Sequence, residues 1–348
     1  MGNQFNKQGG QRFHERFKLG GKLGEGAFSV VKLGHAKKEK FRPVADVPDY
    51  AIKIIEKDGL TEEDKIGLEQ EISILLEISH PNIINLYEHF DEEDKIYMVT
   101  ELIMGDELFN RIVKKNRYSE LEARDVVKTL LSTMNYLHGK GIVHRDLKPE
   151  NILLKNAEND LEFKIADFGF AKHSAADSDV NFSLETQCGT PGYIAPEILM
   201  NRKYGPPADV WSIGVIVYIL LGGYPPFYHA KQNELFKLIK KGKFQFHAKY
   251  WSHISHDAKE LIRQMLTVDP TARLTCEQLL HHDWMKEHSD TLGARDISTT
   301  ITELKKWNAK RKLRAAVQAV VAANRIGFGA HHEHSAAEEG LHHEHRDR

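Results

Sequence analysis

A chain of 348 residues suffices for two domains, or for one large bilobal unit with an extension. Apolar residues at 41% and charged residues at 28% exclude wholesale disorder, and 48 basic against 50 acidic residues argue against a dedicated nucleic-acid binder. Two cysteines, Cys188 and Cys276, exclude a disulfide framework and point to a reducing cytoplasm or nucleus.

The polar residues 1–20 lack the apolar core of a secretory leader. The apolar run Ile213–Leu221 falls short of the roughly 20 residues a membrane span needs, so it reads as a buried helix and no integral membrane segment is expected. Residues 1–15 are polar and glycine-rich and are expected to form a loose arm. Phe17–Leu23 and Ser29–Ala36 flank a Gly-rich turn as a hairpin, and Tyr50–Lys57 is a further β-type run. Residues 62–78 place Ile66, Leu68, Ile72, Leu75, Leu76 and Ile78 at helical spacing, and Ile83–Phe90 with Lys95–Ile103 read as a second strand pair. Beyond Gly105 the patterns are helical, over 119–138, 208–221, 232–241, 256–266 and 275–285. A small β-rich lobe (16–103) followed by a larger α-rich lobe (104–285) is an α+β, bilobal arrangement whose inter-lobe cleft is the natural ligand site. Residues 286–326 end in a basic amphipathic stretch, and 327–348, with six histidines, are expected to be disordered.

Leu23-Gly24-Glu25-Gly26-Ala27-Phe28-Ser29-Val30 carries glycines that let backbone approach phosphates, with Val30 as an apolar cover for a planar base. By itself this turn also fits an ordinary hairpin. Ala51-Ile52-Lys53 sets a lysine within an apolar strand, where burial demands an anionic partner; Glu71 on the following helix can supply it. Then comes His144-Arg145-Asp146-Leu147-Lys148-Pro149-Glu150-Asn151, followed by Asp167-Phe168-Gly169. Asp146 can accept or orient a hydroxyl proton, Lys148 can offset charge on a transferred group, and Asn151 and Asp167 are hard oxygen donors of the kind Mg²⁺ prefers.

On these motifs residues 17–285 resemble a eukaryotic protein kinase domain, with Ala195-Pro196-Glu197 and Asp209-Val210-Trp211 also in order. The resemblance implies a kinase domain over 16–285 that transfers the γ-phosphoryl group of ATP with Mg²⁺. It implies catalytic roles for Asp146, Lys148, Lys53 and Glu71, and metal ligation by Asn151 and Asp167. ATP would meet Leu23, Gly24, Gly26, Val30, Ala51, Lys53, Thr100, Glu101 and Ile103, with Thr100 as gatekeeper. Glu197 would pair with Arg273, Asp209 would brace the catalytic loop, and Leu75, Leu86, His144 and Phe168 would stack between the lobes. Ser29 replaces the third glycine of the loop, a departure active kinases tolerate.

Thr190 matches a threonine that bonds the catalytic aspartate, whereas Thr186 matches the regulatory threonine of type I calmodulin-dependent kinases, the target of an upstream kinase. A phosphate on Thr186 could pair with Arg145. Glu107 matches the acid that takes an arginine three residues before the phosphorylated Ser or Thr, by a bidentate guanidinium contact. An acid favoured by a helix N-terminus is the competing account of Glu107.

Glu303–Ile326 carries seven basic residues against one acid, with Leu313, Val317, Val320 and Val321 on one helical face. It is similar to the autoinhibitory and calmodulin-binding region of type I and type II calmodulin-dependent kinases, without the type II hub domain. This implies a regulatory segment over 286–326 that binds calmodulin through Lys310, Arg311, Leu313, Val317 and Ile326. A monomer is expected. Anionic membrane binding, and docking of the helix on the large lobe, are other readings of the same pattern. A related basophilic kinase regulated without calmodulin and a catalytically inactive calmodulin-binding scaffold are the alternative functions.

Overall fold

In a computed structural model the described residues are 12–25, 29–37, 49–156, 159–173 and 191–313. Among them, β1 (Phe17–Glu25), β2 (Ser29–Ala36), β3 (Asp49–Glu56), β4 (Leu86–Asp91) and β5 (Lys95–Glu101) form an antiparallel sheet in the order β1-β2-β3-β5-β4. The chain enters this sheet through α1 (Phe13–Arg16), which corrects the expectation of a loose arm up to residue 15. Phe13 is fully buried, stacks on Tyr97 at 4.0 Å between ring centroids, and donates its backbone N–H to Glu92 Oε1 at 2.7 Å. An aromatic side chain thus supplies the anchor that the polar composition of the arm obscures.

The helix α2 (Glu62–Glu77) starts at Thr61, whose hydroxyl and Asp64 carboxylate cap each other's backbone amides. It buries Leu68, Ile72 and Leu75 against the sheet and turns Glu71 the same way. Strand β4 starts at Leu86 rather than Ile83, because Ile83 and Ile84 pair instead with Ile165 of the large lobe.

The large lobe opens with α3 (Leu108–Ile112) and α4 (Glu120–Gly139), the latter capped reciprocally by Ser119 and Glu122. Short pairs β6 (Ile142–Val143) with β9 (Lys172–His173), and β7 (Ile152–Leu154) with β8 (Phe163–Ile165), carry the catalytic string. Gly105, between β5 and α3, runs so close to β7 that a Cβ there would lie 1.9 Å from Leu154 O. Next come α5 (Pro196–Leu199), α6 (Pro206–Gly222), α7 (Gln232–Lys240), α8 (Ala248–Trp251) and α9 (His256–Met265). The single helix expected over 275–285 is two, α10 (Cys276–Leu280) and α11 (Asp283–Lys286), because His282 caps the second by accepting the Trp284 N–H. After α12 (Ser289–Ala294), a helix over 298–313 lies against the lobe.

That last helix is rooted in the core. Ile297, Ile301 and Leu304 are buried, and the Thr300 hydroxyl donates to Leu221 O at 2.8 Å. It passes the C-cap of α6, where Gly223 has φ +81° and a Cβ would meet Thr300 O at 2.7 Å. Among the described residues no helix is long and apolar enough to cross a membrane.

Candidate active site

Strand β3 points Lys53 into the cleft, and the inward turn of α2 brings Glu71 to meet it. Lys53 Nζ lies 2.8 and 3.1 Å from the two Glu71 oxygens, so the anionic partner foreseen for the strand lysine is present. A Cβ on Gly169 would lie 3.6 Å from Glu71 Oε2 and 3.5 Å from Asp167 Oδ1. One small volume therefore collects Lys53, Glu71 and Asp167.

Facing them from the large lobe, Lys148 Nζ donates to Asp146 Oδ2 at 2.6 Å, and Asn151 Nδ2 donates to Asp146 O at 2.8 Å. Because its amide nitrogen is committed to that carbonyl, Asn151 offers its oxygen. Two hard oxygen donors, Asn151 Oδ1 and an Asp167 carboxylate, suit a small divalent cation that keeps further oxygens from elsewhere. No cluster of three or more His, Cys, Asp or Glu side chains able to hold a metal occurs among the described residues.

The backbone of this loop is held from below. Asp209 Oδ1 accepts Arg145 N–H at 2.8 Å and Asp209 Oδ2 accepts His144 N–H at 2.9 Å. Burial raises the Asp209 carboxyl pKa, but the hydrogen bond from His138, together with His144, outweighs burial and holds it below the usual range. Leu75, Leu86, His144 and Phe168 are all buried, with the last two rings edge to face at 4.9 Å. Arg273 forks onto Glu197 at 2.8 and 3.0 Å. The Arg145 guanidinium donates to Phe170 O and to the Tyr204 hydroxyl.

Of the residues expected around a nucleotide, Leu23 is exposed at the tip of β1, Gly24 pairs with Val31, and Val30 pairs with Ile54. Ala51 pairs with Thr100, whose hydroxyl donates to Ala51 O at 3.2 Å. The Glu101 carboxylate accepts from Lys164 Nζ at 2.7 Å and from Asn85 N–H at 2.9 Å, and Ile103 is partly buried. Gly26, Thr186, Thr190, Val317 and Ile326 lie outside the described residues.

A contact unforeseen in the sequence joins the last helix to the large lobe beside the catalytic string. Arg311 is buried, with its guanidinium paired to Glu107 and lying 3.1 Å from Glu150 Oε1. Asn308 ties the same turn to the lobe through Asn110 at 2.7 Å, and Trp307 meets Phe109 edge to face at 5.8 Å. Lys310 and Leu313 are exposed, Leu313 at 66%, whereas Arg311 faces the lobe. Glu150 stands within the string that already marked Asp146 and Asn151, but only the distant Arg311 reveals its part.

Residues 17–285 match the family model described as "Protein kinase domain". The chain is 44% identical over 298 residues to a calcium/calmodulin-dependent protein kinase type 1 of Macrobrachium nipponense, covering 85% of this chain and 82% of that one. It is 45% identical over 290 residues to myosin light chain kinase A of Dictyostelium discoideum, covering 83% and 95% of the two chains. Against calcium/calmodulin-dependent protein kinase type IV of Mus musculus it is 43% identical over 324 residues, covering 93% and 65%. The chain belongs to the protein kinase family. Within it the chain is an ATP-dependent serine/threonine kinase of the calmodulin-dependent kinase group. The bilobal kinase fold expected from the motifs is the one observed, a sheet-based small lobe on a helical large lobe.

Proposed function

We propose that this kinase phosphorylates Ser or Thr in Arg-x-x-Ser/Thr sequences, is held inactive by its own C-terminal helix, and is released by Ca²⁺–calmodulin. Lys53, oriented by Glu71, would hold the ATP phosphates; Asp146 would orient the substrate hydroxyl in line with the γ-phosphorus, and Lys148 would balance charge on the moving group. The nucleotide base would sit under Leu23 and Val30 and against Ala51, with Thr100 behind it and the Glu101–Ile103 edge beside it. Asp167 and Asn151 would hold Mg²⁺, which when bound neutralises charge on the phosphates.

One observation carries the regulatory part: the Arg311 guanidinium lies between Glu107 and Glu150. Glu107 is the acid assigned to a substrate arginine, so helix and substrate would compete for one carboxylate. Calmodulin would first meet the exposed Lys310 and Leu313 and then draw Arg311 away. Phosphorylation of Thr186 by an upstream kinase would add a second level of activation.

The test uses full-length protein, an Arg-x-x-Ser peptide and ATP with magnesium, with and without Ca²⁺–calmodulin, for wild type and Arg311→Ala. The reading requires low wild-type activity that calmodulin raises, and raised calmodulin-free activity in the variant. Wild-type activity indifferent to calmodulin would leave a basophilic kinase regulated in another way. No turnover in any tube, once Thr186 is phosphorylated, would leave an inactive scaffold.

A further inference from the structure

Asp209 is fully buried, and its hydrogen bonds to the amides of His144 and Arg145 hold the turn that presents Asp146. Arg145 has φ +68°, a left-handed conformation that a long non-glycine side chain adopts only when its surroundings enforce it. The third contact to this carboxylate is His138 Nε2, 2.9 Å from Oδ2. An ionised carboxylate only accepts, so Nε2 must carry the proton. On the opposite side of the ring, His138 Nδ1 lies 3.7 Å from Cys276 Sγ, at the start of α10. Burial, then the nearby Asp209 charge, push the thiol well up, so sulfur keeps its hydrogen and can donate it to Nδ1. A chain of donors therefore runs from Cys276 S–H through the imidazole to Asp209, and on to the two amides. None of these groups touches the cleft.

We propose that His138 is a positioning residue for phosphoryl transfer, held by the Cys276 thiol as its Nε2–H tautomer and acting through Asp209 on the backbone that presents Asp146. This rests on the reading of Asp146 as the group that orients the substrate hydroxyl. A slackened Asp209 leaves the nucleotide and peptide contacts in place while Arg145 relaxes and Asp146 drifts. The loss then falls on turnover rather than on substrate affinity.

Full-length His138→Leu, His138→Gln, Cys276→Val and Asp146→Asn are compared with wild type in steady-state kinetics. Imidazole ¹⁵N spectra are recorded alongside, with the His138 signals assigned by their loss in His138→Gln. His138→Leu is expected to lower kcat about tenfold or more with KM for ATP and peptide within about twofold. His138→Gln, whose amide nitrogen replaces Nε2, should recover most of it. Wild-type His138 should show a protonated Nε2 and a bare Nδ1, and Cys276→Val should mix the tautomers and lower kcat. Wild-type kcat in His138→Leu, no recovery in His138→Gln, a change in KM alone, or a protonated Nδ1 would each overturn the proposal. If His138→Leu does not fold, Cys276→Val decides, and the proposal falls unless kcat drops together with the tautomer change. Turnover retained by Asp146→Asn would instead refute the reading of Asp146 beneath it.

Discussion

Arg311 and Glu107, 204 positions apart in the chain, form an ion pair between the last helix and the large lobe, with Arg311 only 5% exposed at its side chain and Glu107 24%. A partly buried, charge-assisted pair of this kind is worth on the order of 1–2 kcal/mol. Arg311→Ala should therefore raise calmodulin-free activity roughly tenfold, as read by peptide phosphorylation. Arg311→Lys, which loses the bridge between Glu107 and Glu150 but keeps the charge, should fall between the two. Unchanged basal activity in Arg311→Ala would show that the contact does not restrain the enzyme.

Lys53→Met leaves the Glu71 carboxylate without its ammonium, at a side chain only 8% exposed. Phosphotransfer should fall by at least about a hundredfold, because positioning and charge stabilisation of the phosphates are lost together. Circular dichroism should remain that of wild type, since the pair lies in the cleft rather than in either core. Turnover within a few-fold of wild type would contradict the assignment of Lys53.

Glu197 and Arg273 have side chains 1% and 0% exposed and are joined by a forked contact. Arg273 also donates to Pro207 O at 2.6 Å and Thr267 O at 2.8 Å. Replacing one partner strands a charge in the large lobe, so Glu197→Gln should destabilise the fold by about 3–5 kcal/mol in urea unfolding. A change below about 1 kcal/mol would show that the lobe rearranges to hydrate Arg273.

His282 offers Nδ1 as the acceptor that caps α11, and burial lowers its pKa from the ordinary value of 6.5. Folded His282 thus binds its proton less readily than unfolded His282. Its contribution to stability is fully present above pH 6.5 and is lost as pH falls through the depressed folded value. Tm should decline over that acidic window, and His282→Asn, which retains a cap without titrating there, should flatten the decline. An identical slope in the variant would assign the acid sensitivity to other groups.

Local chemistry was readable in the chain wherever motif and contact coincide. The Lys53–Glu71 pair follows from a lysine in an apolar strand beside a helix with one acid on its inner face. The catalytic string is dense enough that Asp146, Lys148 and Asn151 had to converge. Contacts set by tertiary packing were not readable in the same way. Nothing near Glu150 announces Arg311, and the spacing of Cys276 and His138 carries no motif. Phe13 was hidden in a polar arm, because one aromatic ring in a pocket outweighs the composition around it. The break at His282 went unseen because the apolar period of 275–285 continues across it, and only the cap geometry divides the two helices.

The C-terminal helix has an immovable base and a releasable end. Ile297, Ile301 and Leu304 are buried among the large-lobe core, and the Thr300 hydroxyl is spent on Leu221 O. Beyond them the attachment narrows to Trp307, Asn308 and Arg311. If the helix restrains the kinase as proposed, a protein that grips the tip would work a lever whose fulcrum is near Leu304, and activation would mean uncovering about two turns of helix rather than dismantling the lobe on which they rest.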